Sequence, residues 1–152
     1  MSTLIEQLRR LLGIPTRRKG PLGWLGHGGH ERHQIGWRAE RYAAEMLVGR
    51  GYHILERNMA IGPGEIDLIA EHDDEIVFIE VRSRAENGMM RPVETVRRKK
   101  RGQIGRCARA YLRKRGVTGV RHHFEVAEVY LDERRRPMRL EMVRIALKQS
   151  RR

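Results

Sequence analysis

Asp67 and Glu80 are the residues whose type and spacing first point to chemistry. They lie in two apolar runs, GEIDLIAEH at 64–72 and EIVFIEVRS at 75–83, joined by Asp73-Asp74. Read as strands, the runs alternate their side chains between two faces. Ile66, Leu68, Ala70, Val77, Ile79 and Val81 share an apolar face. Glu65, Asp67, Ile69, Ile76, Phe78, Glu80 and Arg82 share a mixed one. A two-residue hairpin turn at Asp73-Asp74 pairs His72 with Glu75. In that register Asp67 falls opposite Glu80, and Glu65 opposite Arg82. Opposed Cβ atoms lie about 4.5–5.5 Å apart. Two carboxylates that close repel unless one takes a proton or a cation binds between them. Mg²⁺ favours such a pair, with water and phosphate oxygens completing its shell. A plainer alternative makes Glu65–Arg82 a surface ion pair and leaves Asp67 and Glu80 solvated. It accounts less well for acids placed beside Ile69, Ile76 and Phe78.

Glu40 is a third candidate acid. It lies on a segment, 36–49, whose Ala39, Ala43, Met46 and Leu47 form a helical stripe. Glu40 borders that stripe, so it can serve as a third ligand or hold a water.

A strongly basic segment follows the acids. Residues 36–83 carry a net charge of −5, and residues 84–116 carry +10. Arg97, Arg98, Lys99, Lys100 and Arg101 are consecutive, at the start of a helix read over 93–115, where the macrodipole is already positive. Arg106, Arg109 and Arg113 continue along one side. Such a cluster suits a polyanion, bound through phosphates with strong salt dependence. Arg84 and Arg91, in the loop after the second run, could bring phosphates to the acids. The plainer alternative is a solvated helix face. Aromatics are few near this stretch, so backbone contacts to a duplex or branched structure fit better than base stacking.

The elements that must position these residues read in the order helix, three strands, helix, two strands: 36–49, 52–60, 64–71, 75–83, 93–115, 121–131 and 138–145. That order predicts an α/β fold, a mixed β-sheet flanked by helices. The chain has 152 residues and a net charge of +13, enough for one domain and far more basic than solubility asks. Residues 1–35 read as an N-terminal helix and flexible basic arm, 36–148 as the domain and 149–152 as a disordered tail. His27, His30 and His33 recur every three residues, in a tract read as solvated rather than metal-binding. Cys107 is the one cysteine, at a core position, and a reducing cytoplasm fits it. No apolar run is long enough to span a membrane. P-loop, GxGxxG and Ser/His/Asp patterns are missing.

Gly36-x-x-x-Glu40, GYHILERN at 51–58, GEIDLIA at 64–70 and VFIEVRSR at 77–84 closely resemble the YraN-type family of small bacterial proteins. VETVRRKKRGQIGRCARAYL at 93–112 and HFEVAEV at 123–129 extend the resemblance. That family is similar to the restriction-endonuclease-like, PD-(D/E)xK superfamily, and to archaeal Holliday-junction resolvases in particular. The resemblance implies a restriction-endonuclease-like core, with Asp67 and Glu80 as ligands of Mg²⁺ or Mn²⁺ and Glu40 as the upstream acid. It puts Arg82 in the slot of the superfamily's lysine. Arginine can stabilise charge there but cannot act as a general base. The expected function is a metal-dependent endonuclease on structured DNA. The alternatives are a non-catalytic nucleic-acid-binding module and an adaptor that docks a protein through the N-terminal arm. Resolvases work as dimers, so a homodimer is part of the expectation.

Overall fold

A computed structural model describes residues 31–62, 64–88 and 98–147, together with Glu6 and Arg10. The rest of the expected arm over 1–30, the expected tail over 149–152, and Arg91 and Arg97 lie outside the described residues. So does the side chain of Arg98. The elements are α1 (Glu31–Gly49), β1 (His53–Ile61), β2 (Gly64–His72), β3 (Glu75–Ala85), α2 (Arg98–Lys114), β4 (His122–Leu131) and β5 (Pro137–Ile145). The expected order of elements holds. α1 begins five residues before the expected start at Gly36, and β3 runs on through Arg84, which is therefore a strand residue and not a loop residue.

The chain makes one five-stranded sheet in the order β1-β2-β3-β4-β5. β3 and β4 are parallel, and every other pair is antiparallel. A parallel pair needs a crossover, and α2 supplies it. This is the expected α/β fold with a mixed sheet, compatible with a restriction-endonuclease-like core. At the β2–β3 hairpin, Asp73 and Asp74 have φ of 49° and 62°. Both central residues of a type I′ turn need positive φ, which aspartate tolerates better than most. The turn sets the expected register: His72 pairs with Glu75, Ala70 with Val77 and Leu68 with Ile79.

Helices cover both faces. Ala39, Ala43, Ala44 and Leu47 of α1 pack on Leu68, Ala70, Val77, Ile79, Ala127 and Val129. Cys107, Ala108 and Tyr111 of α2 pack on Ile69, Ile76 and Phe78. Cys107 is thus a core residue, as its position predicts. Strand alternation puts Ile66 with Leu68 and Ala70, but Ile66 packs in the α2 cluster instead. The alternation breaks at Asp67. Each helix ends in the same way: Gly51 and Gly116 adopt positive φ, and the next residue's amide returns to the carbonyl five residues back, Tyr52 to Leu47 and Val117 to Leu112. This closure satisfies orphan carbonyls and turns the chain back onto the sheet. Among the described residues, no helix is long and apolar enough to cross a membrane.

Candidate active site

The β2–β3 ladder stops one pair short of the two acids. Leu68 pairs with Ile79, and the next pair in that register would be Asp67 with Glu80. There Asp67 Oδ2 accepts a hydrogen bond from the Val81 amide at 2.8 Å. A side-chain carboxylate takes the place of a backbone acceptor, and the two strands part. From Glu80 onward β3 is held on its other side, with Glu80 beside Val126 and Arg82 beside Glu128 on β4. The acids therefore sit where the hairpin opens, beyond the Leu68–Ile79 pair from the Asp73-Asp74 turn.

Asn58 approaches from β1. Arg57 pairs with Leu68 and Met59 with Ile66, so Asn58 lies opposite Asp67. Its φ is 45°, a left-handed conformation that asparagine adopts far more readily than bulkier residues. Its side chain acts on the Glu40 carboxyl and favours the charged form.

Four carboxylates act on one another here. Burial, then the charge of Glu80, pushes the Asp67 carboxyl up to about 7. Glu40 adds to this, while the Val81 amide and Lys100 oppose it. Burial also raises Glu40, and the charges of Glu65 and Glu80 add to the effect; the Asn58 side chain works against it. α1 packs on one face of the sheet and Lys100 reaches in from α2 on the other, so both helices contribute at the opening.

Glu80 is 7% exposed. Its Oε1 lies 3.3 Å from the Arg82 guanidinium and 3.3 Å from Lys100 Nζ. Its Oε2 is buried with no hydrogen-bond partner. This corrects the expected pairing of Arg82 with Glu65. The ladder that would have opposed them ends at Leu68, and Glu65 pairs with Ala60 on β1 instead.

Among the described residues, no group of three or more His, Cys, Asp or Glu side chains is placed to hold a metal ion. A cage of protein ligands is not what Mg²⁺ requires, because one or two carboxylates suffice when water and phosphate supply the rest. The buried, partnerless oxygen of Glu80 and the charge repulsion on Asp67 fit that donor set.

The expected phosphate-binding cations divide. Lys99 is exposed on α2, Arg101 is half-buried, and Arg106, Arg109 and Arg113 are exposed along the helix. Arg84 is turned to its own end of the sheet. It lies over the Tyr130 ring at 5.2 Å and donates to the Gly88 carbonyl. His33 is exposed on α1, and the other two histidines of its tract lie outside the described residues.

The model of the uncharacterised protein family UPF0102 matches residues 39–145. The chain belongs to this family. It is 42% identical over 113 residues to the UPF0102 protein of Moorella thermoacetica, covering 74% of this chain and 92% of that protein. It is 42% identical over 96 residues to the Clostridioides difficile UPF0102 protein, covering 63% and 84%. It is 40% identical over 92 residues to the Hahella chejuensis one, covering 60% and 74%. The YraN-type resemblance read from the motifs is this family.

The UPF0102 match spans Glu40, both acid-bearing strands and α2, and does not include residues 1–38. Within the UPF0102 domain, two residues at the opening were not assigned to it by the sequence. Asn58 gave no signal beyond its place in GYHILERN. Lys100 did carry one: it lies four residues before Ile104, seven before Cys107 and eleven before Tyr111, on the face of α2 that meets the sheet. Grouping it with its basic neighbours hid that periodicity.

Proposed function

We propose that this UPF0102 protein is a divalent-metal-dependent endonuclease acting on structured DNA, duplex or branched, in the cytoplasm. The observation that carries the reading is the Asp67–Glu80 pair at the open hairpin, with a buried carboxylate oxygen left without a partner.

Asp67 and Glu80 would hold Mg²⁺ or Mn²⁺. Such a cation, when bound, supplies Lewis acidity and a more acidic water. The Val81 amide fixes the Asp67 carboxylate against β3, so its direction does not depend on the ligand. Burial, with the charges of Glu65 and Glu80, raises the Glu40 carboxyl above its ordinary range, and Glu40 borders the pair as the upstream acid. Arg82 and Lys100 set two positive charges at Glu80 Oε1, where a phosphate could share them. Donors placed in advance at developing negative charge are worth far more in a partly dry site than in water. Arg82 stays charged throughout and takes no proton from water. The exposed cations Lys99, Arg106, Arg109 and Arg113 offer a track for the DNA backbone along α2. Binding by such a track falls steeply with salt.

A non-catalytic nucleic-acid-binding module is the second reading. It is favoured by the fact that Arg82 and Lys100 already neutralise Glu80. One experiment separates the two. Wild type and Asp67→Ala are incubated with linear, flapped and four-way-junction DNA in Mg²⁺, Mn²⁺ or EDTA. Cleavage that needs the metal and vanishes in Asp67→Ala supports the nuclease. A shifted band uncut in every lane supports the binding module.

A further inference from the structure

Arg82 has two buried carboxylates beside it and engages one of them. Its guanidinium lies 3.3 Å from Glu80 Oε1, yet its Nε is buried without a hydrogen-bond partner. On β4 its register partner is Glu128. Neighbouring strands lie about 4.8 Å apart, and register partners project from the same face. Glu128 is 1% exposed. Its Oε2 accepts the Tyr130 hydroxyl at 3.3 Å, and its Oε1 is buried with no partner. A donor and an acceptor, each orphaned, thus occupy adjacent strands at one level of the sheet. Buried polar atoms without partners are rare in native proteins and call for an explanation.

Arg84 and Arg139 already act on the Glu128 carboxyl through their charge, and both are engaged elsewhere. Arg139 is held by Glu86 and Glu141, and Arg84 donates to the Gly88 carbonyl. Glu141, the partner of Glu128 on β5, is itself an acid. Arg82 stands beside Glu128 in the β3–β4 register with its Nε without a partner, while its guanidinium is held at Glu80.

We propose that Glu128 is a second seat for the Arg82 guanidinium, taken when a divalent cation binds Glu80. This rests on the reading of Asp67 and Glu80 as a cation site. A divalent cation at the free Oε2 repels the two positive charges now at Oε1, and Arg82 is the one with a second buried carboxylate on the adjacent strand. Expelling Arg82 to water would leave its buried partner positions empty, whereas moving it one strand over satisfies Nε and Glu128 Oε1 together. Glu128 is then a positioning residue: it touches no cation and acts through Arg82.

The test is Mn²⁺ binding by calorimetry to the full chain as wild type, Glu128→Gln, Arg82→Gln and the double variant. Glu128→Gln raises the Kd about 5- to 10-fold, the lower part of the range for site-to-site coupling. Arg82→Gln removes the competing cation and lowers the Kd. In that background Glu128→Gln has no further effect. Equal Kd values for wild type and Glu128→Gln overturn the second seat and leave the cation site standing. A Glu128→Gln effect that persists undiminished without Arg82 also overturns it, because the role would then be structural. No binding by wild type overturns the cation site and the seat with it. The unmodified chain offers a readout that no folding defect can confuse. Its Arg82 Nε–H resonance, assigned by loss in Arg82→Lys, should move downfield on Mg²⁺ addition as it gains an acceptor. A resonance that stays in place while Mg²⁺ binds overturns the proposal.

Discussion

Lys100 Nζ lies 3.3 Å from Glu80 Oε1, with Lys100 on the first turn of α2 and Glu80 in the middle of β3. The Glu80 carboxylate is buried, and a buried charge is tolerable only when paired. α2 therefore has two jobs at once. Its apolar face closes the core over Phe78, and its first turn delivers a cation to the acid two residues further along the strand.

On the proposed nuclease function, removing that cation should separate cleavage from binding. Lys100→Met should slow cleavage about 10²-fold, the scale for loss of one preorganised charge donor. Lys99→Met, at an exposed position, should weaken DNA binding and leave single-turnover cleavage of bound DNA unchanged. Equal cleavage defects in the two variants would return Lys100 to the general basic run.

Asp67 makes stability depend on pH. Its carboxyl is pushed up to about 7 in the folded chain, from an ordinary value near 3.8. Between those values the folded state holds a proton that the unfolded chain has lost, so stability falls as pH rises through that window and levels off above it. Asp67→Asn removes this dependence. A tenfold change in proton affinity is worth about 1.4 kcal/mol, and partial solvation reduces the total, so the variant should be about 1–3 kcal/mol more stable than wild type at pH 8. At pH 4 that advantage should be gone. Thermal melts across the range check it, and an advantage of constant size at every pH would contradict it.

Divalent cations should narrow the same gap from the other side. If Mg²⁺ or Mn²⁺ binds charged Asp67 and Glu80 as proposed, wild-type stability at pH 8 should rise by about 2.7 kcal/mol at a hundredfold excess over Kd, and the Tm with it. Asp67→Asn should show little or none of this rise in a melt with and without EDTA.

Asn58 can be probed by backbone chemistry. Its φ of 45° disfavours most side chains, so Asn58→Ala should lose about 1–2 kcal/mol in a denaturant melt, while Asn58→Gly loses less. Both variants lose the Asn58 side chain's effect on Glu40 equally. If alanine and glycine cost the same, the left-handed backbone is not what the asparagine provides.

The exposed arginines of α2 predict a salt signature. Arg106→Ala, Arg109→Ala and Arg113→Ala combined should reduce the slope of log affinity against log salt by about 2–3, near 0.9 for each duplex phosphate no longer neutralised. Binding titrations at several salt concentrations measure it. A parallel line at lower affinity would place these residues off the DNA.

Several features were legible in the chain alone because their causes are local. The Asp73-Asp74 turn and the period-two alternation set the hairpin register from His72–Glu75 to Leu68–Ile79. The apolar stripe of α1 appeared as a 3.6-residue repeat, and the motifs around GEIDLIA and VFIEV pointed to the family. Asp67 and Glu80 stood out because acids inside apolar runs are costly. Where the ladder stops was not legible. Asp67 caps the Val81 amide with its side chain, and an alternation rule takes no account of a side chain that replaces a backbone acceptor. The misassigned neighbours of the acids follow from that. Arg82 turns to Glu80 rather than Glu65, Ile66 changes face, and Asn58 and Lys100 meet the acids from a strand and a helix remote in the chain. Local pattern was enough for the elements, the register of one hairpin and the identity of the acids. Which cations those acids hold is a property of the folded chain, because it depends on where two strands part and how a crossover helix returns over the gap.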